Sequence, residues 1–410
     1  MRNEISRLLG EQNLDVLWVS GATHDCPEAY YLTGGVSLTS AWIILRPDSQ
    51  PLLCHSPMER EAARASGLRT LDFNELGAEI LSREHNDPLA VRLEMFARLT
   101  ERENLAGRLA VHGTADPGEF HFLLENLCRR LPQLELARDM PAVLETARAT
   151  KEPEEILQMK KVAAAALEAI SEALELIRKS HAEDEKVIQG SGAALTVGAV
   201  KSCLTAALAR QGLQEPYETI LSIGRESGIP HASNPDDTIL TVGKTVVFDV
   251  FPCRRGGGYF FDITRSFLIG NAPEQALRLY EEVLAAQEKA LGQAGAGVYG
   301  VELQELTCDH FEELGHPTIR SKPGTTEGYV HSLGHGIGLQ VHEHPYLRIQ
   351  QKPDESNRLK VGSVFSLEPG LYYPQRGMGV RIEDVAYIND SGRAQILAPF
   401  EKFPVLELEG

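Results

Sequence analysis

Hydrophobic residues in the first part of the chain come in short runs separated by helical patterns. The runs cover residues 15–19, 42–45, 52–54 and 109–111. Short apolar runs bounded by polar positions are typical of buried strands, whereas apolar steps of three and four indicate helices. The first 140 or so residues therefore predict a small α/β domain.

Residues 148–155 are the best candidate for a domain boundary. Their proline and acidic residues suit the first turn of a helix, where backbone N–H groups are free and the dipole is positive. A long helix should follow, because apolar residues recur at steps of three and four from Ile156 to Ile177. We therefore expect one domain over residues 1–148 and a second over residues 149–410.

The second domain mixes helices and strands without a regular alternation. Further helices are predicted at about 192–212, 273–292 and 299–314. Strands are predicted at 245–251, 259–269, 363–373 and 379–388. This order favours a single α+β domain.

The charge balance disfavours nucleic acid and membranes as partners, and the cysteines indicate a reducing compartment. The chain has 40 basic and 58 acidic residues, and its net charge of −18 repels nucleic acid and anionic lipid. No run reaches the roughly 18 apolar residues of a membrane span, and the charged N-terminus does not resemble a signal peptide. The six cysteines are widely spaced and form no CxxC motif, which indicates ordinary reduced thiols. We expect a cytoplasmic protein that binds neither nucleic acid nor membrane.

Histidines are concentrated in one part of the sequence. Six of the 13 lie within 35 residues: His310, His316, His331, His335, His342 and His344. The segment 331–344 is also rich in glycine, which permits close approach of the backbone. A single histidine is more often structural than functional, so the cluster alone does not define a site.

Two pairs of carboxylates carry the stronger signal. Asp249 lies inside the apolar run VVFDVF, and Asp262 follows three aromatic residues. In an unbulged hairpin centred between residues 255 and 256 these two side chains stand opposite one another. Glu368 and Glu383 are symmetric in the same way about residues 375 and 376.

Together these residues indicate metal binding. Four buried carboxylates in two facing pairs would repel one another, and divalent cations would reverse the sign of that interaction. Two Asp, two Glu and one imidazole form an oxygen-rich set that is too large for one tetrahedral zinc. The set suits two divalent ions about 3.5–4 Å apart, an arrangement used for hydrolysis.

Five stretches in this order resemble the pita-bread metallopeptidases of family M24, in their Xaa-Pro aminopeptidase and prolidase branch. They are VVFDVF followed by YFFDITRSF, then HSLGHGIGLQVHEHP, SLEPGLYYP and VRIEDV. The resemblance covers residues from about 150 to 400. It implies a pita-bread catalytic domain, and the first 140 residues resemble more weakly the creatinase-type N-terminal domain of this branch.

The resemblance assigns roles to individual residues. It implies five ligands to two divalent ions: Asp249, Asp262, His335, Glu368 and Glu383. Asp262 and Glu383 would bridge the ions, which would be manganese or cobalt by preference, with iron and zinc as alternatives.

Further roles follow from the same resemblance. The histidines around the substrate would be His231, His331 and His342, and Arg381 would balance the carboxylate charge. Glu368 would also carry a proton from water to the leaving nitrogen, while His331 or His342 would donate to the developing oxyanion.

The implied activity is hydrolysis of Xaa-Pro bonds, by a hydroxide that bridges the two ions, in a homodimer. Prolidases commonly carry an arginine just after the HE-x-P segment, where this chain has Tyr346, with Arg348 two residues later. We therefore expect an Xaa-Pro aminopeptidase acting on peptides longer than two residues, with proline in second position. Alternatives are a prolidase, a non-catalytic pita-bread protein that binds peptides or proteins, and a creatinase-like amidinohydrolase.

Overall fold

The computed structural model describes residues 4–114, 116–139 and 142–409. The chain forms two compact units. The first contains the residues up to Ala147 together with Gly256–Gly258, and the second contains Arg148–Arg255 and the residues from Tyr259 onward. The boundary predicted after residue 148 lies one residue from this division.

The first unit is a six-stranded sheet flanked by helices. Its strands are β1 (Val16–Gly21), β2 (Ala41–Leu45), β3 (Leu52–His55), β4 (Arg69–Asp72), β5 (Gly107–Gly113) and β6 (Leu134–Leu136). Its helices are α1 (Glu4–Glu11), α2 (Pro27–Thr33), α3 (Arg60–Ala65), α4 (Ala78–Glu84), α5 (Pro88–Glu103), α6 (Pro117–Arg130) and α7 (Val143–Arg148). The strand order is β4-β3-β2-β1-β5-β6.

Both faces of this sheet are buried, which explains its continuous apolar runs. Along β1, Val16 and Trp18 point into one core, whereas Leu17 and Val19 point into the other. The period of two along a strand produces this alternation. The predicted α/β character of this region is confirmed.

The second unit combines four long helices with several sheets. The helices are α8 (Pro153–Arg178), α9 (Val197–Arg210), α10 (Glu274–Gln293) and α11 (Gly300–Glu313). The early strands are β7 (His181–Glu183), β8 (Lys186–Ile188), β9 (Leu213–Gln214), β10 (Ile220–Ile223), β11 (Thr245–Val250), β12 (Cys253–Arg254) and β13 (Ile263–Ile269). The later strands are β14 (Gly334–Gly336), β15 (Glu343–Leu347), β16 (Val364–Leu367), β17 (Gly370–Tyr373), β18 (Met378–Arg381), β19 (Asp384–Ile388), β20 (Ala394–Ile396) and β21 (Val405–Leu406).

Two sheets and one hairpin organise this unit. One sheet has the order β10-β11-β13-β21, and the other has the order β15-β14-β16-β19-β20. Strands β17 and β18 form a separate hairpin. Within the described ranges, no helix is both long and apolar enough to cross a lipid bilayer.

Two of the predicted strands are each divided. The strand predicted at 363–373 breaks at Glu368 and Pro369, and the strand predicted at 379–388 breaks at Ile382 and Glu383. Proline has no N–H to give to a sheet, so it ends β16. Both breaks fall at predicted metal ligands.

Candidate metal centre

The two aspartates lie on an antiparallel hairpin, but not opposite each other as predicted. Asp249 pairs with Thr264 across β11 and β13, so the register is shifted by two residues from the prediction. The turn is centred on Gly256 and Gly257, whose φ angles of 82° and 96° suit glycine. Side chains two positions apart on a strand project from the same face, so a register shift of two residues leaves Asp262 on the same side as Thr264 and Asp249.

The two glutamates follow the predicted register. Strands β17 and β18 pair Gly370 with Arg381, and β16 and β19 pair Leu367 with Asp384. Both pairings are symmetric about residues 375 and 376, as expected from the sequence. Glu368 and Glu383 occupy matching positions in the two breaks between these ladders.

The backbone at each break binds a neighbouring ligand-bearing segment. The N–H of Glu368 donates to the carbonyl of Leu333 at 2.8 Å, two residues before His335. The N–H of Glu383 donates to the carbonyl of Thr264 at 3.1 Å, two residues after Asp262. The breaks therefore bring the three segments that carry the predicted ligands to one place.

The side chains converge as well. Asp262, His335 and Glu383 each offer a ligand atom, and these atoms lie within 4.8 Å of one another. Nε2 of His335 is 3.3 Å from Oε1 of Glu368 and 3.8 Å from Oδ2 of Asp262. Nδ1 of His335 is 3.1 Å from the carbonyl of Gly336, to which it donates. The ring is thus held with Nε2 toward the carboxylates.

Asp249 joins the group through Arg381. Nη2 of Arg381 donates to Oδ2 of Asp249 at 2.5 Å, and both residues are buried. Nε of Arg381 donates to Oγ1 of Thr264 at 3.1 Å, and that hydroxyl donates to Oε2 of Glu383 at 2.8 Å. Arg381 therefore connects two of the predicted ligands.

The electrostatics of the site favour cation binding. Burial raises the pKa of Asp262 well above its usual value, and the charge of Asp249 raises it further. Burial and the charge of Asp262 do the same for the pKa of Glu383. Burial also raises the pKa of Asp249, although Arg381 opposes the rise. These carboxylates repel one another when ionised.

His335 and Glu368 form an ion pair within the same group. Burial alone would lower the pKa of His335, but the hydrogen bond and charge of Glu368 raise it to about 9. Burial would raise the pKa of Glu368, but the bond and charge of His335 lower it to about 2. A cation at Nε2 of His335 would replace that proton.

The donor set fits a divalent metal. Oδ1 of Asp249, Oδ1 of Asp262 and Oε1 of Glu383 are buried, and none has a hydrogen-bond partner among the described residues. A buried carboxylate oxygen without a donor is costly, and a divalent cation would remove that cost. Carboxylates with one imidazole are ligands that manganese, cobalt and iron accept.

The predicted substrate histidines have different surroundings. Nδ1 of His331 donates to the carbonyl of Ser332 at 2.7 Å, and Nε2 is hydrogen-bonded to the hydroxyl of Tyr372 at 2.9 Å. Burial lowers the pKa of His331, so its ring is neutral and Nε2 accepts from Tyr372. This bond occupies the nitrogen that would have faced an oxyanion.

His342 and His231 are exposed. The ring centre of His342 is 4.2 Å from that of His335, and partial desolvation together with the charge of His335 lowers the pKa of His342 to about 4. His231 follows Pro230, whose carbonyl accepts a 3.0 Å hydrogen bond from Nη1 of Arg381. The charge of His231 helps to lower the pKa values of His331 and His342.

Sequence reasoning missed Thr264 and Tyr372. Thr264 links Arg381 to Glu383, and the hydroxyl of Tyr372 accepts from Nη1 of Arg381 at 2.9 Å. Each lies an even number of residues after a ligand, Thr264 two after Asp262 and Tyr372 four after Glu368. The period of two along a strand could have indicated both.

Gln287 was also missed, because it lies on helix α10, far from any motif. Its side-chain nitrogen donates to the carbonyls of Leu367 and Ile382 at 3.0 and 3.1 Å. These residues immediately precede Glu368 and Glu383. The buried side-chain amide of Gln287 therefore links the two strand breaks.

The remaining histidines of the cluster form structural contacts. His344 is hydrogen-bonded to Asn357 at 2.9 Å, and His316 to Glu282 at 2.9 Å. His310 contacts the carbonyl of Glu282 at 3.2 Å. Sequence reasoning gave these three histidines no catalytic role.

Comparison with known proteins identifies the family. The model of metallopeptidase family M24 matches residues 157–390. The chain belongs to this family. It is therefore a metallopeptidase, and the family implies divalent metal ions, for which the cluster of Asp262, His335 and Glu383 is a candidate site.

Relatives and solved structures match almost the whole chain. The Xaa-Pro dipeptidase of Pyrococcus furiosus is 27% identical over 394 residues, 96% of each chain. The solved prolidase of that organism has a TM-score of 0.71 and 26% identity, and covers 97% of this chain and 100% of its own. The solved X-Pro aminopeptidase of Thermotoga maritima has a TM-score of 0.76 at 21% identity, with 99% and 100% covered, which shows the fold alone.

These matches confirm two expectations from the sequence. The resemblance to the Xaa-Pro aminopeptidase and prolidase branch of M24 is confirmed, and so is the fold class, an α/β N-terminal domain with an α+β pita-bread domain.

Proposed function

We propose that the chain is a metal-dependent Xaa-Pro dipeptidase that uses two divalent ions, manganese by preference. The five residues Asp249, Asp262, His335, Glu368 and Glu383 would hold them. Support comes from the three unpartnered carboxylate oxygens and from the convergence of the side chains around Nε2 of His335. A homodimer and a cytoplasmic location stay predictions from the sequence.

The chemistry divides between the ions and the protein. When bound by these residues, divalent ions would lower the pKa of water and polarise the scissile carbonyl. Glu368 is the least buried of the four carboxylates, so it is placed to accept a proton from water and pass it to the leaving nitrogen.

Arg381 and His342 have separate tasks in this proposal. Arg381 orients Asp249 and opposes the rise in its pKa that burial causes. Because Nε2 of His331 is bound to Tyr372, His342 is the better candidate to donate to the developing oxyanion. Proline suits the leaving side because its amide nitrogen has no hydrogen that a pocket would have to satisfy.

One observation favours a dipeptidase. Tyr346 pairs with His335 across β14 and β15, so the two side chains project from the same face. The guanidinium of Arg348 lies over the ring of Tyr346, 4.8 Å from its centre. Prolidases commonly carry an arginine where this chain has Tyr346, and Arg348 brings a positive charge to that place. Arg348 can therefore bind the free carboxylate of a dipeptide. The Xaa-Pro dipeptidases among the relatives agree with this proposal.

The second candidate is the Xaa-Pro aminopeptidase expected from the sequence. Tyr346 itself is neutral, and the side chain of Arg348 is exposed. An exposed arginine can move aside and leave room for a longer peptide. Tyr346 is therefore the observation that favours this alternative.

A parallel assay separates the candidates. Manganese-reconstituted protein is given Leu-Pro and Leu-Pro-Ala under identical conditions, and kcat/KM is measured for each. The proposal predicts a higher value for Leu-Pro, whereas an aminopeptidase gives the higher value for Leu-Pro-Ala. Binding of both peptides without cleavage by metal-loaded protein would favour a non-catalytic relative.

A further inference from the structure

The first unit contains a cavity that the proposed activity does not use. Its volume is about 400 Å³, within the range of small-molecule sites. Strand β1, strand β2 and helices α5 and α6 contribute to its wall. All of its lining residues lie before residue 124.

The cavity lies where the sheet topology favours a ligand. Strands β1 and β5 are adjacent and parallel. Helix α2, after β1, packs Ala29 and Leu32 into the core on one face, whereas helix α6, after β5, packs Leu123 and Leu127 into the core on the other. Ser20 and Gly21 at the carboxyl end of β1 line the cavity. In open α/β sheets, ligands bind in the crevice at the carboxyl ends of strands whose connections diverge in this way.

The wall of the cavity is aromatic. The rings of Phe73, Trp42, Trp18 and Phe120 follow one another, with centroids 5.2, 5.4 and 6.0 Å apart along this order. Trp18 is 1% exposed, and its indole nitrogen has no acceptor among the described residues. A ligand with an acceptor group could satisfy that buried donor.

The rim carries negative charge. Three carboxylates line the cavity, those of Asp25, Asp116 and Glu119, against the single guanidinium of Arg92. Arg92 lies 3.5 Å from Glu119, but both side chains are exposed, so this ion pair offsets the charge of Glu119 only in part. Oδ1 of Asp116 accepts from the backbone N–H groups of Gly118 and Glu119, so the start of α6 is occupied by a carboxylate. The site therefore disfavours an anion.

We propose that this cavity binds a small organic cation that carries a hydrogen-bond acceptor, of the class of basic amino-acid amides and short basic peptides. The aromatic wall attracts a flat or alkylated cation through the faces of its rings. The carboxylates of Asp25 and Glu119 supply the opposite charge. Trp18 and the hydroxyls of Ser20 and Ser40 supply donors to the acceptor group.

The chain has a built-in reporter for this site. It contains two tryptophans, Trp18 and Trp42, and both line the cavity. Both tryptophans lie in the first unit, so their fluorescence reports directly on the cavity that they line. The probe is L-argininamide, added to full-length, manganese-loaded protein.

The expected result is a saturable change in tryptophan fluorescence, with a calorimetric stoichiometry of one per chain. Asp25→Asn with Glu119→Gln should weaken binding by about tenfold, because it removes the rim charge. The matched control is Glu125→Gln, an exposed acid on the same helix that does not line the cavity. It should bind argininamide like the original chain.

Ligand comparison gives a second test that needs no variant. L-arginine differs from argininamide by a carboxylate that the rim repels, so it should bind about tenfold more weakly. Agmatine lacks the acceptor and should also bind more weakly. Calorimetric binding without a fluorescence change, equal affinity for arginine and argininamide, or stronger saturable binding of inorganic phosphate would overturn the proposal.

Discussion

Arg381 shows how much of the site depends on one side chain. It donates to Asp249, Tyr372 and Thr264, and to the carbonyl of Pro230 that precedes His231. The guanidinium fork can make these bonds together because its donors are fixed in one plane. A lysine at this position could not reproduce them.

Replacing Arg381 should therefore destabilise the protein. Arg381→Met leaves the carboxylate of Asp249 buried without its cation, which costs about 3–5 kcal/mol. Urea denaturation of metal-free protein measures the loss. The control is Arg393→Met at an exposed arginine, which should change the free energy of unfolding by less than about 0.5 kcal/mol. Equal losses in the two variants would refute this role.

Arg348 provides the residue-level test of substrate length. If it binds the carboxylate of a dipeptide, Arg348→Ala should raise KM for Leu-Pro by about tenfold or more. KM for Leu-Pro-Ala should change by less than about twofold, because its carboxylate lies one residue farther away. Steady-state kinetics on both peptides measure the difference.

The matched control for Arg348 is Arg358, whose guanidinium also lies over a tyrosine ring, 5.5 Å from the centre of Tyr299. Arg358→Ala should leave both KM values unchanged. Equal increases for dipeptide and tripeptide in Arg348→Ala would show that Arg348 does not read the end of the substrate.

At the scale of the elements, helix α10 supports both glutamates through Gln287. Gln287→Met removes both hydrogen bonds to the carbonyls of Leu367 and Ile382, which precede Glu368 and Glu383. Loss of such outer contacts commonly weakens metal binding by about 10–100-fold. Competition with a chelator measures the manganese affinity directly.

Gln275→Met is the control on the same helix, because Gln275 is exposed. It should bind manganese like the original chain. If Gln287→Met loses stability but keeps its manganese affinity, Gln287 has only a packing role.

The hairpins explain which parts of the site could be predicted from the sequence. The glutamate hairpin keeps the register predicted from the symmetry of Glu368 and Glu383. Gly377, with φ of 67°, ends a short turn close to the centre of that symmetry. The aspartate hairpin was shifted by two residues because three consecutive glycines allow several turn positions. A register shift of two residues leaves each side chain on the same face of its strand, so Asp249 and Asp262 still lie on one face as predicted.

Contacts between distant elements could not be predicted. Gln287 reaches the site through the packing of α10, and its position carries no local signal. The break at Glu383 was missed because apolar residues flank it, and the break at Glu368 was missed although Pro369 marks it in the sequence. Their backbone groups turn to Leu333 and Thr264, which is a tertiary interaction.

At the scale of the whole molecule, the metal centre gathers carboxylates that repel one another without ions. A ligand that binds only the folded state stabilises a protein by about 2.7–4.1 kcal/mol when its free concentration is 100 to 1,000 times the dissociation constant. Removal of manganese by a chelator should therefore lower the melting temperature by several degrees. Calorimetry of the original chain measures this shift.

Asp262→Asn provides the comparison for chelation. This variant loses one of the ligands that gather in the cluster, so the chelator should lower its melting temperature by much less. An identical shift in both proteins would mean that the stabilising ions bind elsewhere.

The central claim is that five side chains on the second unit hold two ions. Elemental analysis of the manganese-reconstituted, desalted chain tests it most directly, with Asp262→Asn measured in parallel. The account predicts about two manganese ions per original chain and at most one in the variant. A chain that retains no manganese, or a variant that retains as much as the original, would contradict it.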